Sequence, residues 1–561
     1  MKPTNRGVII RRGHSTVLKI QPTPNSGWFM KTTGFLKDRL WGVRDSARLW
    51  QCLLTACFLL GLAGKLAVAA ADAIAAPAPF AVAIVPVGDT NLTAPDTSLE
   101  LTAVVVGKPN GISFRWCKES GLGEVKFSDT TGASTTASFD IAGDYVLSLT
   151  ATRGNSSAQD SIAVTVNLNP NGDFQPNAIL KLVNDTDPAA HTNAFLTFGL
   201  FSSNVTDSNT AAAYYQTIDP HDRKTNFRDW LSENGMITTD GTLRGDVTDA
   251  RYFNAVDLGF GRRMLMSRDR RAFSVTNYKT VDEAVNDVNR IASVTMEYAP
   301  PDDDPAGAPF TKFYIFDGKT GDRLLAADLD GGGAKNLPGL CIVCHGGVNA
   351  ANVASGQPYP NSGNVHAHFL PFDLNALDYS CDRKFTRAAQ EGVFHKLNQG
   401  VLEIEAGTST SPANLDSNNQ LMTTLITLIE GWYGTNFVVP APLELPSHTQ
   451  NSEFVPDAWS TRAELYANVV ARSCRNCHST RPSSSLFPLA FGSSADFDHF
   501  SATTRFFVFG ASNLATPPIT TLQVPGIIMP HARKTFQRFW LSTTPAQPEI
   551  LRDYLSSLGV P

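Results

Sequence analysis

Two short stretches of this chain carry its most reactive residue types at one fixed spacing. "CIVCHGG" sets Cys341, Cys344 and His345 as C-x-x-C-H, and "SCRNCHSTRP" repeats the pattern with Cys474, Cys477 and His478. A C-x-x-C pair can form half of a zinc site, act as a redox couple, or anchor a haem through two thioethers. Four-cysteine zinc sites place their pairs about 15–20 residues apart, whereas Cys341 and Cys474 are 133 positions apart. A thioredoxin-like pair needs no adjacent histidine and sits in a βαβ unit, which neither surrounding suggests. Covalent haem accounts for the histidine: two thioethers fix the porphyrin edge, and the neighbouring imidazole reaches the iron. The spacing therefore predicts two haem c groups per chain. Cys341, Cys344, Cys474 and Cys477 would attach them, with His345 and His478 as axial ligands.

From Thr461 onward, over about 100 residues, the chain resembles a class I cytochrome c domain. A helix runs into Cys474-Arg475-Asn476-Cys477-His478, a loop region follows, then "IIMPHA", then a closing helix. The resemblance implies that Met529, in a Met-Pro pair 51 residues past His478, is the sixth ligand of the second iron. The plainer role for any methionine is core packing. No Met-Pro pair lies near the first motif. Its far-side candidates are His366, His368, Met264, Met266 and Met422, of which His368, 23 residues past His345, is the best single choice. An open sixth position is the alternative, and it matters: an open haem can activate a small oxidant, a closed one passes electrons.

The elements that must hold these residues come from 561 positions, enough for three to four domains. Apolar residues make up 42% and charged residues 17%, the balance of a globular chain. Residues 49–64, "LWQCLLTACFLLGLAG", form an apolar run behind Lys31, Lys37, Arg39, Arg44 and Arg48. Small residues in the A-x-A style follow, so 1–76 reads as a leader with a secretory signal. The alternative is a retained anchor, although the run is short for a span and Lys65 interrupts its extension. "LTAC" resembles a lipobox, but Cys57 falls too early in the run. Residues 1–76 carry a net +8, so with the whole chain at −6 the remainder carries −14. An acidic exported body excludes a nucleic-acid footprint and favours basic redox protein partners. A membrane partner arises only if the leader is retained.

Residues 80–168 alternate short strands with Gly, Pro, Asn and Asp. In the last strand Ile162, Val164 and Val166 share a face. Gly143-Asp144-Tyr145 leading into an alternating strand, with Trp116 on an earlier one, resembles the PKD family of immunoglobulin-like modules. That resemblance implies a β-sandwich used for adhesion or spacing. Residues 170–335 read as mixed α/β. "TVDEAVNDVNRIA" is expected to be a helix with Val281, Ala284, Val285, Val288 and Ile291 on one face, and a hairpin is expected to turn at Asp317-Gly318. Helices are expected near Thr386, around Leu421, Leu425, Leu428 and Ile429, before Cys474, and at "QPEILRDYLSSLG". The expected architecture is thus multidomain: a PKD/Ig-like sandwich, a mixed α/β region, and mainly α, cytochrome c-like haem regions at 336–450 and 455–561. "PDDDP" at 301–305 and "DLDGGG" at 328–333 read as solvated turns rather than calcium loops. Cys117 and Cys381 are left over from the motifs and the leader, either paired or as thiols.

Two C-x-x-C-H motifs this far apart resemble bacterial di-haem peroxidases, but the likeness stops at the motifs. Residues 250–271 and 311–347 resemble a family of uncharacterised exported bacterial cytochrome c proteins, which implies haem and export without naming a reaction. The expectation is a periplasmic or cell-surface di-haem electron carrier. A di-haem oxidase or peroxidase with an open first haem, or a PKD-mediated binding protein, is the alternative.

Overall fold

The computed structural model describes residues 80–86, 88, 90–107, 110–174, 207–329, 333–347, 353–409, 419–434, 445–480, 489–509 and 533–560. The leader 1–76 and Met529 lie outside them. Residues Ala78–Pro561 form one compact unit. Among the described residues no helix is long and apolar enough to cross a membrane.

Eight strands build the first part: β1 (Phe80–Val85), β2 (Thr90–Thr93), β3 (Ser98–Gly107), β4 (Ser113–Ser120), β5 (Val125–Phe127), β6 (Ser134–Phe139), β7 (Gly143–Arg153) and β8 (Ser156–Asn167). They form two four-stranded sheets, ordered β1-β3-β6-β5 and β2-β8-β7-β4. Period-2 alternation drives the packing: Ile162, Val164 and Val166 are buried against Trp116, Tyr145, Leu147 and Leu149 in one core. The Tyr145 hydroxyl donates to Ile141 O at 2.6 Å and accepts from Gly123 N at 3.2 Å, which ties the turn before β7 to its own strand. Gly121, at φ +135°, lets the backbone pass the Tyr145 ring, where a Cβ would sit 2.1 Å from a ring carbon.

A third sheet forms the body. Its strands are β9 (Thr248–Asn254), β10 (Gly261–Met266), β11 (Ala272–Tyr278), β12 (Ala292–Ala299) and β13 (Phe310–Asp317), with β14 (Ala326–Ala327) and β15 (Lys335–Asn336) as a separate short pair. A final strand, β16 (Leu377–Asp378), pairs antiparallel with the edge of β9, giving the order β13-β12-β11-β10-β9-β16. That strand comes from the region after the first motif. One hydrophobic core runs from Ala213 to Leu445 and includes Leu340, Cys341 and Ile342. The boundary expected at 335/336 therefore falls inside a single core, and 336–450 is not a separate, mainly α domain. The sheet needs the helices Arg387–Ser409 and Asn419–Tyr433 to cover its apolar face.

Three local expectations meet corrections or confirmation. The helix at 281 stops at Asn286, because Asp287 turns left-handed, and Val288 and Ile291 end up exposed. "PDDDP" is a turn, with Asp304 N donating to Pro301 O at 3.1 Å and Asp303, Asp304 and Pro305 exposed, but the Asp302 carboxylate is buried in ion pairs with Lys312, at 2.8 Å, and Arg223, at 3.0 Å. The hairpin after β13 forms, with Gly321 N donating to Asp317 O and Leu324 N to Ile315 O.

The sandwich is braced against the body. Cys117 on β4 is disulfide-bonded to Cys381, 264 positions away, and Lys118 beside it pairs with Asp378 of β16 at 2.7 Å. Further along, Ala142 N donates to Leu541 O at 2.6 Å, Thr543 N to Asp140 O at 2.9 Å, and Ile141 and Ala142 enter the core around the second motif. A cross-link closing so long a loop is worth up to ~5 kcal/mol in the chain-entropy picture. Cys117→Ser/Cys381→Ser, or reduction under native conditions, is expected to lower the thermal unfolding midpoint by several degrees. Identical melts for the two forms would deny the brace a stabilising role.

Candidate functional site

The helix Gly339–His345 carries the first motif and starts at Pro338, whose carbonyl accepts from Cys341 N and Ile342 N. It ends at Gly346, φ +72°, where a Cβ would meet Thr480 O at 2.3 Å. The second motif follows a π-helical stretch, Tyr466–Cys474, and occupies the single turn Arg475–His478. Widened turns of this kind recur at functional sites.

Both histidines are held in the same way. His345 Nδ1 lies 2.8 Å from His368 O, and His478 Nδ1 lies 2.7 Å from Leu489 O. A carbonyl oxygen only accepts, so in each ring Nδ1 carries the proton and the lone pair belongs to Nε2. That is the tautomer of a histidine that binds metal through Nε2. Each ring also meets an aromatic neighbour: His478 lies flat on Phe491 with centroids 4.2 Å apart, and His345 is tilted against Phe313 at 5.5 Å.

His368, expected opposite the first iron, stands instead behind His345. Its carbonyl accepts from His345 Nδ1, its N–H donates to His345 O at 2.8 Å, and its own ring is 2.9 Å from buried Glu405. It does not line the cavity beside the motif. His366 does not line it either, and the Met422 side chain lies outside the described residues.

That cavity encloses ≈ 1270 Å³ of space, its open mouth included, and Cys341, Cys344 and His345 face it. Its floor is the body sheet, whose alternating residues Met264, Val275, Val294 and Met296 give an apolar slab. At one end Arg262 donates to Asp257 at 2.5 Å and to Asn277 at 3.2 Å, forming a polar rim. Asn476 and Cys477 of the second motif line the same cavity. Thr480 Oγ1 donates to Cys344 O at 2.7 Å and lies 3.3 Å from Cys477 O, so the two motifs abut through one hydroxyl.

None of the four motif cysteines is in a disulfide. Burial pushes the Cys341 thiol up to about 12, and burial followed by Cys477 pushes Cys474 up to about 12. A disulfide-exchanging pair needs the opposite, a lowered thiol. Among the described residues no three His, Cys, Asp or Glu side chains are grouped to hold a metal ion, whereas a structural zinc needs four ligands. Two paired thiols, an Nε2-presenting imidazole, an apolar slab and an arginine at its rim do fit a haem, with Arg262 suited to its carboxylates.

Arg475, between the second pair of cysteines, is the anchor missed in the sequence. It is buried, bonded to Asp373 at 2.5 Å and to the Tyr466 hydroxyl at 3.1 Å, and lies over the Trp432 ring. Burial alone would lower its guanidinium, but Asp373 outweighs that and holds it above its usual value. An arginine inside C-x-x-C-H offered a signal; its acceptor, 102 positions away, did not.

The K319L-like PKD domain family matches residues 87–166, so the first part of the chain is a PKD/Ig-like domain. Among solved structures, the PKD domain (329-428) from human KIAA0319 is 20% identical. It covers 18% of this chain and 96% of its own, with a TM-score of 0.16. The PKD domain from the KIAA 1837 protein is 27% identical over 15% of this chain and 82% of its own, with a TM-score of 0.13. A quinonprotein alcohol dehydrogenase-like protein from Bacteroides thetaiotaomicron is 11% identical over 45% of this chain and 47% of its own, at a TM-score of 0.15. Among curated proteins none matches.

Proposed function

We propose that this protein is an exported di-haem c-type cytochrome that transfers electrons in the periplasm or at the cell surface. The observation that carries the reading is the shared state of the two C-x-x-C-H histidines, each with Nδ1 on a carbonyl. Haem one would be held by Cys341, Cys344 and His345, and haem two by Cys474, Cys477 and His478, with Met529 as the second ligand of haem two. When bound, the group supplies reversible one-electron chemistry. The chain's own residues do the rest. Leu489 and His368 fix the tautomers, the sheet floor excludes water, and Arg262, paired with Asp257, leaves guanidinium donors at the rim for carboxylates. Thr480 holds the two motifs in contact, which sets the two redox groups close enough to exchange electrons.

Export is supported by the leader and by the Cys117–Cys381 disulfide, since such bonds persist in oxidising compartments. The PKD-like domain acts here as a brace beside the redox body, and the acidic body favours basic electron-transfer partners.

The deciding experiment is a pyridine haemochrome assay on protein exported with its own leader in a host that attaches haem c. Two haems per chain that survive acid–acetone extraction are expected. One haem or none would remove the proposal.

A further inference from the structure

We infer that Met264 supplies the second axial ligand of haem one, trans to His345; the inference rests on the haem reading above. The first iron needs a donor that reaches the cavity faced by Cys341, Cys344 and His345. His368 stands behind His345, its carbonyl accepting from Nδ1 and its own ring 2.9 Å from Glu405, and it does not line the cavity. Met266 is packed elsewhere: its sulfur lies 2.6 Å from where a Gly400 Cβ would be, against the helix Arg387–Ser409. Tyr252 lines the cavity, but its ring is packed edge-on against Phe394 of the helix Arg387–Ser409, 5.4 Å between centroids. Among the described lining residues two thioethers remain, Met264 and Met296.

The strand register separates them. Met296 on β12 is paired with Phe313 on β13, and the Phe313 ring is 5.5 Å from the His345 ring. Met296 therefore lies on the side of the cavity that His345 already occupies. Met264 on β10 is paired with Val275 on β11, which is paired with Val294 on β12. It thus stands two strands farther across the same floor, ~10 Å at the usual strand spacing. Axial ligands approach iron from opposite faces, and Met264 is the thioether on the face away from His345. Met264 is itself buried, as a ligand shielded from solvent would be.

The consequence is directional. A thioether opposite histidine raises the potential relative to a second histidine. Haem one would then be a high-potential, closed centre, and not the low-potential entry point that a His368 ligand would make it.

The test uses the full-length protein carrying both haems, with Met264→Leu and Met296→Leu as volume-conserving swaps. Wild type, reduced and mixed with carbon monoxide, is expected to bind none. Met264→Leu is expected to bind one carbon monoxide per chain and to gain a high-spin ferric signal from one haem, while Met296→Leu behaves as wild type. Carbon monoxide binding by wild type, an unchanged Met264→Leu, or opening of the site by Met296→Leu instead would overturn the assignment. Should Met264→Leu not accumulate, the reduced Met529→Leu protein decides: one ring-current-shifted methionine methyl resonance is expected, and its absence overturns the assignment. Absence of covalent haem from a Cys474→Ala/Cys477→Ala chain would instead overturn the haem reading at the first motif, a result distinct from a wrong ligand.

Discussion

Asp373→Ala is expected to cost this protein ~3–5 kcal/mol, the scale seen when one member of a buried ion pair is removed. Asp373 and Arg475 are both almost fully buried, and the carboxylate accepts from Arg475 Nε at 3.2 Å and Nη2 at 2.5 Å. Without it the guanidinium keeps only the Tyr466 hydroxyl and the faces of Trp432 and Tyr466. Those do not offset a desolvated charge. Arg475→Leu/Asp373→Leu, which removes both charges, is expected to recover most of the loss. Urea unfolding of the three forms checks this, and a double variant no more stable than Asp373→Ala would refute the ion-pair account. The pair also joins the second motif to the loop that walls the first cavity, so loosening it should disturb both centres.

Cys474→Ala/Cys477→Ala is expected to reduce covalent haem from two per chain to one, about half. The first motif keeps its own helix, its own histidine and a place in the Ala213–Leu445 core, none of which depends on those two thiols. The PKD-like domain should stay folded, since Trp116, Tyr145, Leu147 and Leu149 pack in a core of their own. Haemochrome per chain and limited proteolysis of the variant provide the readout. Loss of both haems would deny haem to the first motif, and retention of two would deny haem to Cys474 and Cys477.

What could be read from the sequence was local. The alternation of Ile162, Val164 and Val166 comes from a sheet with one buried face, so a window of six residues reveals it. The C-x-x-C-H spacing is likewise local, because the residues that act together are neighbours in the chain. The rest depended on distant partners. A two-residue strand such as Leu377–Asp378 has no periodicity, yet it places the region after the first motif in the body sheet. The acceptors for His345 and His478 are backbone carbonyls, which carry no residue-type signature. Val288 and Ile291 matched a helical face in period, but a left-handed Asp287 ended the helix before they could use it. His368 lies close to the first motif as its spacing suggests, but for a different reason: its carbonyl supports His345 from behind.

The covalent link between Cys117 and Cys381 also has a mechanical meaning. A pull applied at Phe80 against the body would be carried by backbone as far as Cys117 and then by one sulfur–sulfur bond. If the sandwich gave way under load, only the stretch from Phe80 to Cys117 could pay out, about 130 Å at ~3.5 Å per residue. Everything from there to Cys381, including β9 through β13 and the first C-x-x-C-H motif, lies off the line of force. Tension between an N-terminal attachment and the body would thus stretch the sandwich and leave the β9–β13 sheet unloaded.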